Sequence, residues 1–210
     1  MSPLPVGVLA SGEGTNLQAL LDTVHGREAE VVAVASDKPG ARALARAQAS
    51  GVPTAVFALD EHPDRDARDA AIADWLQERG AQLVVLAGYM AILTPGFLAR
   101  FPRAVLNVHP SLLPAFPGIG SVEQAVAYGV QVFGVTVHLV DEGVDTGPIV
   151  LQGAVELPGA TDPAAVRARL QPLEHQLLPE AVRLFARGAI SADPANPRRT
   201  VVGDARRSSA

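Results

Sequence analysis

The chain has 210 residues, 48% apolar and 19% charged, a balance that fits one soluble globular domain with room for a sizeable core. Its net charge is -5 and no Lys/Arg block stands out before the last dozen residues, which argues against a nucleic-acid binder, since that needs a basic face to meet phosphates. Zero cysteines exclude disulfides and thiolate chemistry and fit a reducing compartment, and no apolar run reaches the roughly 18 residues of a membrane span. The start, Met1-Ser2-Pro3-Leu4-Pro5, has no basic stretch leading into an apolar run, so no signal peptide is expected and the expected location is cytoplasmic.

In chain order, short β-branched runs alternate with Ala/Arg-rich helical patterns. Residues 6–10, 31–36, 54–57, 83–87 and 105–108 read as strands, and they are continuously apolar rather than alternating, as strands covered on both faces should be. Helical patterns occupy residues 16–25, 41–50, 64–79 and a short stretch near 95–101. This alternation predicts an α/β fold with a doubly wound, mostly parallel sheet. Past residue 130 the pattern changes. Residues 133–140 and 149–157 read as an antiparallel strand pair joined by a Gly/Asp-rich turn, and 162–187 as a long C-terminal helix that Pro172 and Pro179 should kink or split. From Ser191 onward no periodicity remains, so the expected organisation is a body of residues 1–190 and a loosely ordered tail of 191–210, of which residues 194–210 are expected to be removable with folding and turnover near normal.

Three stretches carry candidate chemistry. Ser11-Gly12-Glu13-Gly14-Thr15-Asn16 joins the first strand to the first helix, where glycines allow a tight turn and a helix start favours an anion. A single phosphate monoester held by Gly14, Thr15 and Asn16 is the favoured reading; a purely structural turn and a dinucleotide site remain open. The dinucleotide reading is supported by Asp37 at the end of the second strand and weakened by Leu17, where the third glycine of the fingerprint would stand. Asn107-Val108-His109-Pro110-Ser111-Leu112-Leu113-Pro114 closes the fifth strand. Residues i and i+2 of a strand share a face, so Asn107 and His109 point the same way, and Pro110 ends the ladder. An amide donor beside an imidazole at the carboxyl end of a strand suits acyl-type transfer, although a turn-capping Asn and a satisfied core His would look the same. In Asp141-Glu142-Gly143-Val144-Asp145-Thr146-Gly147-Pro148, one carboxylate could reach His109 and hold it oriented or charged; a solvated hairpin loop is the alternative. His138 reads as a satisfied core histidine. No spacing of His and acids matches a metal motif, so no metal is expected. Gly88-Tyr89-Met90-Ala91-Ile92-Leu93 could line a site for a flat heterocycle or belong to the core.

Taken together, Ser-Gly-x-Gly-Thr-Asn-Leu, Ala-Gly-Tyr-Met, Asn-Val-His-Pro-Ser-Leu-Leu-Pro, Val-Asp-x-Gly-Val-Asp-x-Gly-Pro-Ile and Gln-x-x-Glu-His, in this order over residues 5–188, resemble the folate-dependent formyltransferase family. Within it, the N-terminal turn is similar to that of the phosphoribosylglycinamide formyltransferases of purine biosynthesis. The resemblance implies a Rossmann-like formyltransferase fold, formyl transfer from 10-formyltetrahydrofolate as cosubstrate to the amine of glycinamide ribonucleotide, small-molecule partners only, and a monomer or homodimer. It also implies Asn107, His109 and Asp145 as the catalytic three, with Gly14, Thr15 and Asn16 on the substrate phosphate and Glu174 on its ribose or glycinamide end. Met90, Ala91, Ile92, Leu93 and Asn107 would meet the folate, with Arg65 near its acidic tail. Two positions depart from the family pattern: Ala91 stands where an arginine is common, and Ile119-Gly120-Ser121 stands where many members carry a histidine.

Overall fold

The computed structural model describes residues 2–203. Strand and helix alternate through its first half: β1 (Leu4–Leu9), α1 (Thr15–Thr23), β2 (Ala29–Ser36), α2 (Arg42–Ala49), β3 (Thr54–Val56), a single 3₁₀ turn at Leu59–Glu61, α3 (Arg65–Glu78), β4 (Leu83–Leu86), α4 (Pro95–Arg100) and β5 (Val105–His109). β1 pairs in parallel with both β2 and β4, β2 with β3, and β4 with β5. The chain therefore winds outward from β1 to β3, returns to the other side of β1 and winds outward again through β4 and β5. Ligands of such sheets bind where the winding reverses, at the carboxyl ends of the central strands; here those ends are Ser11, after β1, and Gly88, after β4.

The local reasons are plain in the burial. Val6, Val8 and Leu9 of β1 are at most 1% exposed, and all four residues of β4 are buried. α1 turns Leu17, Leu20 and Leu21 inward, the i, i+3, i+4 stripe of a helix lying on a sheet. α3 does the same with Asp69, Ile72, Ala73 and Leu76, so that an aspartate occupies a core position and pairs with the buried Arg68 at 2.7 Å.

The second half adds α5 (Ser121–Tyr128), β6 (Val132–Leu139), β7 (Ile149–Glu156), α6 (Pro163–Ala186), β8 (Ile190–Asp193) and β9 (Asn196–Val202). β6 and β7 are antiparallel, with a register irregularity between Val137 and His138. β7 alternates between more and less covered positions, as a strand with one wet face should. Hydrogen-bonded strands run in the order β3-β2-β1-β4-β5-β6-β7, and β8 pairs with β9 in a separate antiparallel hairpin.

Three features differ from the sequence expectation. α6 is one unbroken helix of 24 residues despite Pro172 and Pro179. Each proline removes one backbone bond, but Val166, Leu170, Leu178, Ala181 and Val182 form a buried stripe that packs on β6 and β7 and outweighs the loss. α5 has no counterpart among the expected elements; it is bounded by Gly120 at φ 72° and Gly129 at φ 83° and buries Val122 and Ala125. Finally, the segment expected to be loosely ordered from Ser191 carries β8 and β9, and the Thr200 hydroxyl donates to the Ile149 carbonyl at the head of β7. Backbone pairing, rather than an apolar pattern, orders it. Residues 204–210 of that expected tail lie outside the described residues. The described chain divides into two compact units, with the boundary at Asn107/Val108 within β5.

Candidate active site

The Gly-rich turn is built from two helix starts. Gly14 precedes α1 at φ 71°, a conformation that disfavours side chains, and a Cβ there would lie 2.6 Å from the Ala43 Cα of α2. Ala43 N–H donates to the Gly12 carbonyl at 3.1 Å and Arg46 Nε to the Glu13 carbonyl at 2.8 Å, so α2 supports the turn from below. Thr15 is half-buried and Asn16 buried. Leu17, in the place of a fingerprint glycine, is fully buried in the core. Asp37, the candidate ribose ligand of a dinucleotide site, instead accepts the Ser11 hydroxyl at 2.5 Å. Leu17 thus fills the core where the fingerprint glycine would stand, and Asp37, the residue that supported a dinucleotide reading, is engaged on Ser11.

The segment after β4 is tied down at both ends. Met90 N–H donates to Ser11 Oγ at 2.9 Å, Arg65 Nη2 to the Ile92 carbonyl at 2.6 Å, and Thr94 N–H to Asp69 Oδ2 at 2.8 Å. Tyr89 and Leu93 are buried, whereas Met90 and Ile92 are 60% and 56% exposed and Ala91 is half-buried. Two large apolar side chains thus project from a fastened backbone. Arg65 uses its guanidinium on this segment.

The third cluster gathers around Asp145. Asn107 is half-buried and His109 is 6% exposed, both on the same face of β5. His109 Nδ1 lies 3.2 Å from Asp145 Oδ2, and its Nε2 lies 2.9 Å from the Phe116 carbonyl oxygen. Both ring nitrogens face acceptors, so only the imidazolium form donates to both. Asp145, at φ 53°, also accepts the Gly118 N–H at 2.8 Å. On its other side stands His138, 2% exposed, with Nε2 3.5 Å from Asp145 Oδ1 and Nδ1 2.9 Å from the Leu139 carbonyl oxygen. Burial opposes the charged carboxylate, but hydrogen bonds from His138 and from the Gly118 amide, with the charges of His109 and His138, hold the Asp145 carboxyl down at about 2. The remaining acid of the loop that makes bonds, Asp141, serves the turn itself, accepting Gly143 N–H at 3.1 Å and the Thr146 hydroxyl at 2.6 Å.

His138 is the residue that sequence reasoning undervalued. It is buried, as a core histidine should be, yet it meets Asp145; the one available signal was its position at the end of a strand leading into the acidic loop. Glu174 sits midway along α6 and is half-buried. Among the described residues no group of three or more His, Asp or Glu is arranged to hold a metal ion, and no helix is long and apolar enough to cross a membrane.

A fold wound around β1, a Gly-rich turn at its switch point and a His–Asp pair following an asparagine on the same strand make up the frame of a known family. Residues 5–182 match the formyl transferase model, and the chain belongs to the formyl transferase family. Its relatives narrow the class further. It is 47% identical over 186 residues to a phosphoribosylglycinamide formyltransferase of Mycobacterium tuberculosis, covering 88% of this chain and 86% of that one. It is 41% identical over 187 residues to the enzyme of the same name from Haemophilus influenzae, covering 88% of each. Among solved structures, glycinamide ribonucleotide transformylase 1 from Symbiobacterium toebii superposes with a TM-score of 0.92 at 44% identity, over 96% of this chain and 95% of that one. A formyltetrahydrofolate deformylase from Pseudomonas syringae shares the fold at 27% identity and a TM-score of 0.87, but this chain covers only 67% of it.

Proposed function

We propose that the protein transfers the formyl group of 10-formyltetrahydrofolate to the amine of glycinamide ribonucleotide, a step of de novo purine biosynthesis, in the cytoplasm. The observation that carries the reading is the His109–Asp145 pair at 3.2 Å at the end of the strand that bears Asn107, in a chain whose relatives over nearly its full length bear that enzyme's name.

In this reading the ribonucleotide phosphate sits on Gly14, Thr15 and Asn16, with Glu174 toward its ribose or glycinamide end. The folate heterocycle packs on Met90, Ala91, Ile92 and Leu93, and its acidic tail runs toward Arg65. The glycinamide amine attacks the formyl carbon to give a tetrahedral oxyanion. The Asn107 amide and the His109 imidazolium donate to that oxygen. The adduct collapses by breaking its bond to folate N10, which takes up a proton while the attacking amine gives one up, leaving formylated ribonucleotide and tetrahydrofolate. Asp145, ionised throughout the physiological range, holds His109 in the correct orientation through Nδ1, and His138 holds the other carboxylate oxygen. His109 Nε2, on the Phe116 carbonyl in this structure, exchanges that acceptor for the substrate oxygen. Holding both substrates in register supplies much of the remaining acceleration.

Mixing the purified protein with both substrates tests the proposal. Consumption of the formyl donor, seen by absorbance, should require glycinamide ribonucleotide, and mass spectrometry should show a formyl group added to it. Release of formate without the ribonucleotide would instead make the chain a deformylase.

A further inference from the structure

Ser11 belongs to neither candidate binding element as the family resemblance assigns them, yet it touches both. Its main-chain N–H donates to the Gly88 carbonyl at 3.0 Å. Its hydroxyl has a single proton, which goes to the Asp37 carboxylate at 2.5 Å. The oxygen's lone pair is thereby turned to Met90 N–H, which it accepts at 2.9 Å. One side chain, 7% exposed, thus sits in a directional relay from Met90 through Ser11 to Asp37, and the same residue brackets Gly88. Ser11 leads directly into Gly12 of the anion-binding turn. The far end of residues 88–94 is clamped independently by Arg65 on the Ile92 carbonyl and by Asp69 on Thr94 N–H. Ser11 is thus the fastening at the near end of the segment, through its main chain and its hydroxyl.

Resting on the functional reading above, we infer that Ser11 is a positioning residue that couples the two substrate sites, so that each substrate tightens the binding of the other. A phosphate on Gly14, Thr15 and Asn16 fixes the turn that begins at Ser11. A heterocycle packed on Met90 and Ile92 fixes the Met90 amide. Both orderings constrain the same hydrogen bond, so whichever ligand binds second meets a segment already set and loses less freedom. Water is largely excluded from Ser11, which keeps solvent from replacing the bond when it loosens.

The test is a binding cycle with glycinamide ribonucleotide and tetrahydrofolate, which lacks the formyl group and so forms a ternary complex without turnover. Titration calorimetry gives each ligand's Kd alone and in the presence of the other. Wild-type protein should show each ligand improving the other's Kd by roughly three- to tenfold, the worth of one shielded hydrogen bond. Ser11→Ala should bring that ratio close to one, Ser11→Thr should keep most of it, and Asp37→Ala, which frees the hydroxyl to rotate, should fall between. A merely structural serine would weaken both ligands alike and leave the ratio unchanged. An unchanged ratio in Ser11→Ala or Asp37→Ala, or independent binding in the wild type, would overturn the coupling and leave the functional reading standing. Binding of neither ligand to the wild type would overturn that reading and the coupling with it.

Discussion

Asn107 and His109 owe their common direction to the two-residue period of a strand, and their separate tasks to their chemistry: a neutral amide that can only polarise, and a ring that can carry a charge. Removing a single oxyanion donor from a preorganised site typically costs about a hundred- to a thousandfold in turnover. Asn107→Ala and His109→Ala should each lower kcat by about that factor with the far-ultraviolet circular dichroism unchanged; steady-state kinetics at saturating substrate checks this. Asp145 adds a pH signature. Its carboxyl is held at about 2 when folded, against an ordinary 3.8, so the stabilisation is present at all pH values above 3.8 and is lost as pH falls through about 2. The difference is on the order of 2 kcal/mol. Asp145→Asn should therefore unfold more easily than wild type above pH 4, with the two denaturation curves converging toward pH 2, and it should lose turnover at neutral pH. Parallel stability profiles across that range would show that Asp145 only solvates its loop.

At the scale of elements, the Gly-rich turn is shaped by a helix as much as by a ligand. The close approach at Gly14 is to the backbone of α2, 2.6 Å from where a Cβ would fall. Gly14→Val should consequently do more than raise the KM for the ribonucleotide: it should lower Tm as well, because Ala43 must move and the residue is held at positive φ. A thermal melt beside a KM measurement separates the two effects. The C-terminal hairpin makes a second case. Ending the chain after Asp193 deletes β9, strips β8 of its partner and removes the Thr200 bond to Ile149. Differential scanning calorimetry should show a clear fall in Tm; an unchanged melt would mean that the hairpin contributes nothing to the body of the fold.

At the scale of the whole molecule, the proposed function asks a protein of net charge -5 to bind two anionic substrates, so recognition would have to come from local donors rather than from the overall field. Ligand linkage offers a global readout. Glycinamide ribonucleotide at about 100 times its Kd should add about 2.7 kcal/mol of stability. For a chain of this size that is a rise in Tm of roughly 5 to 10 °C, whereas a dinucleotide such as NADH should leave the melt where it was.

The strands β1, β2, β4 and β5 and the helices between them could be read from the chain alone, because strands largely covered on both faces show up as short apolar runs. The shared direction of Asn107 and His109 followed from strand periodicity, and the turn at Gly14 from its glycines. The sequence could not show that α6 runs through two prolines, since the burial that offsets them belongs to β6 and β7. It could not reveal β8 and β9, which are ordered by backbone pairing rather than by side-chain pattern. Nor could it show that His138 would stand on the far side of Asp145, or that Ser11 would hold Met90, 79 positions away in the chain. Periodicity records which face of an element is covered, whereas a hydrogen bond between distant residues exists only once the chain has closed around it. The composition of the site was therefore local information, and its connections were made by the fold.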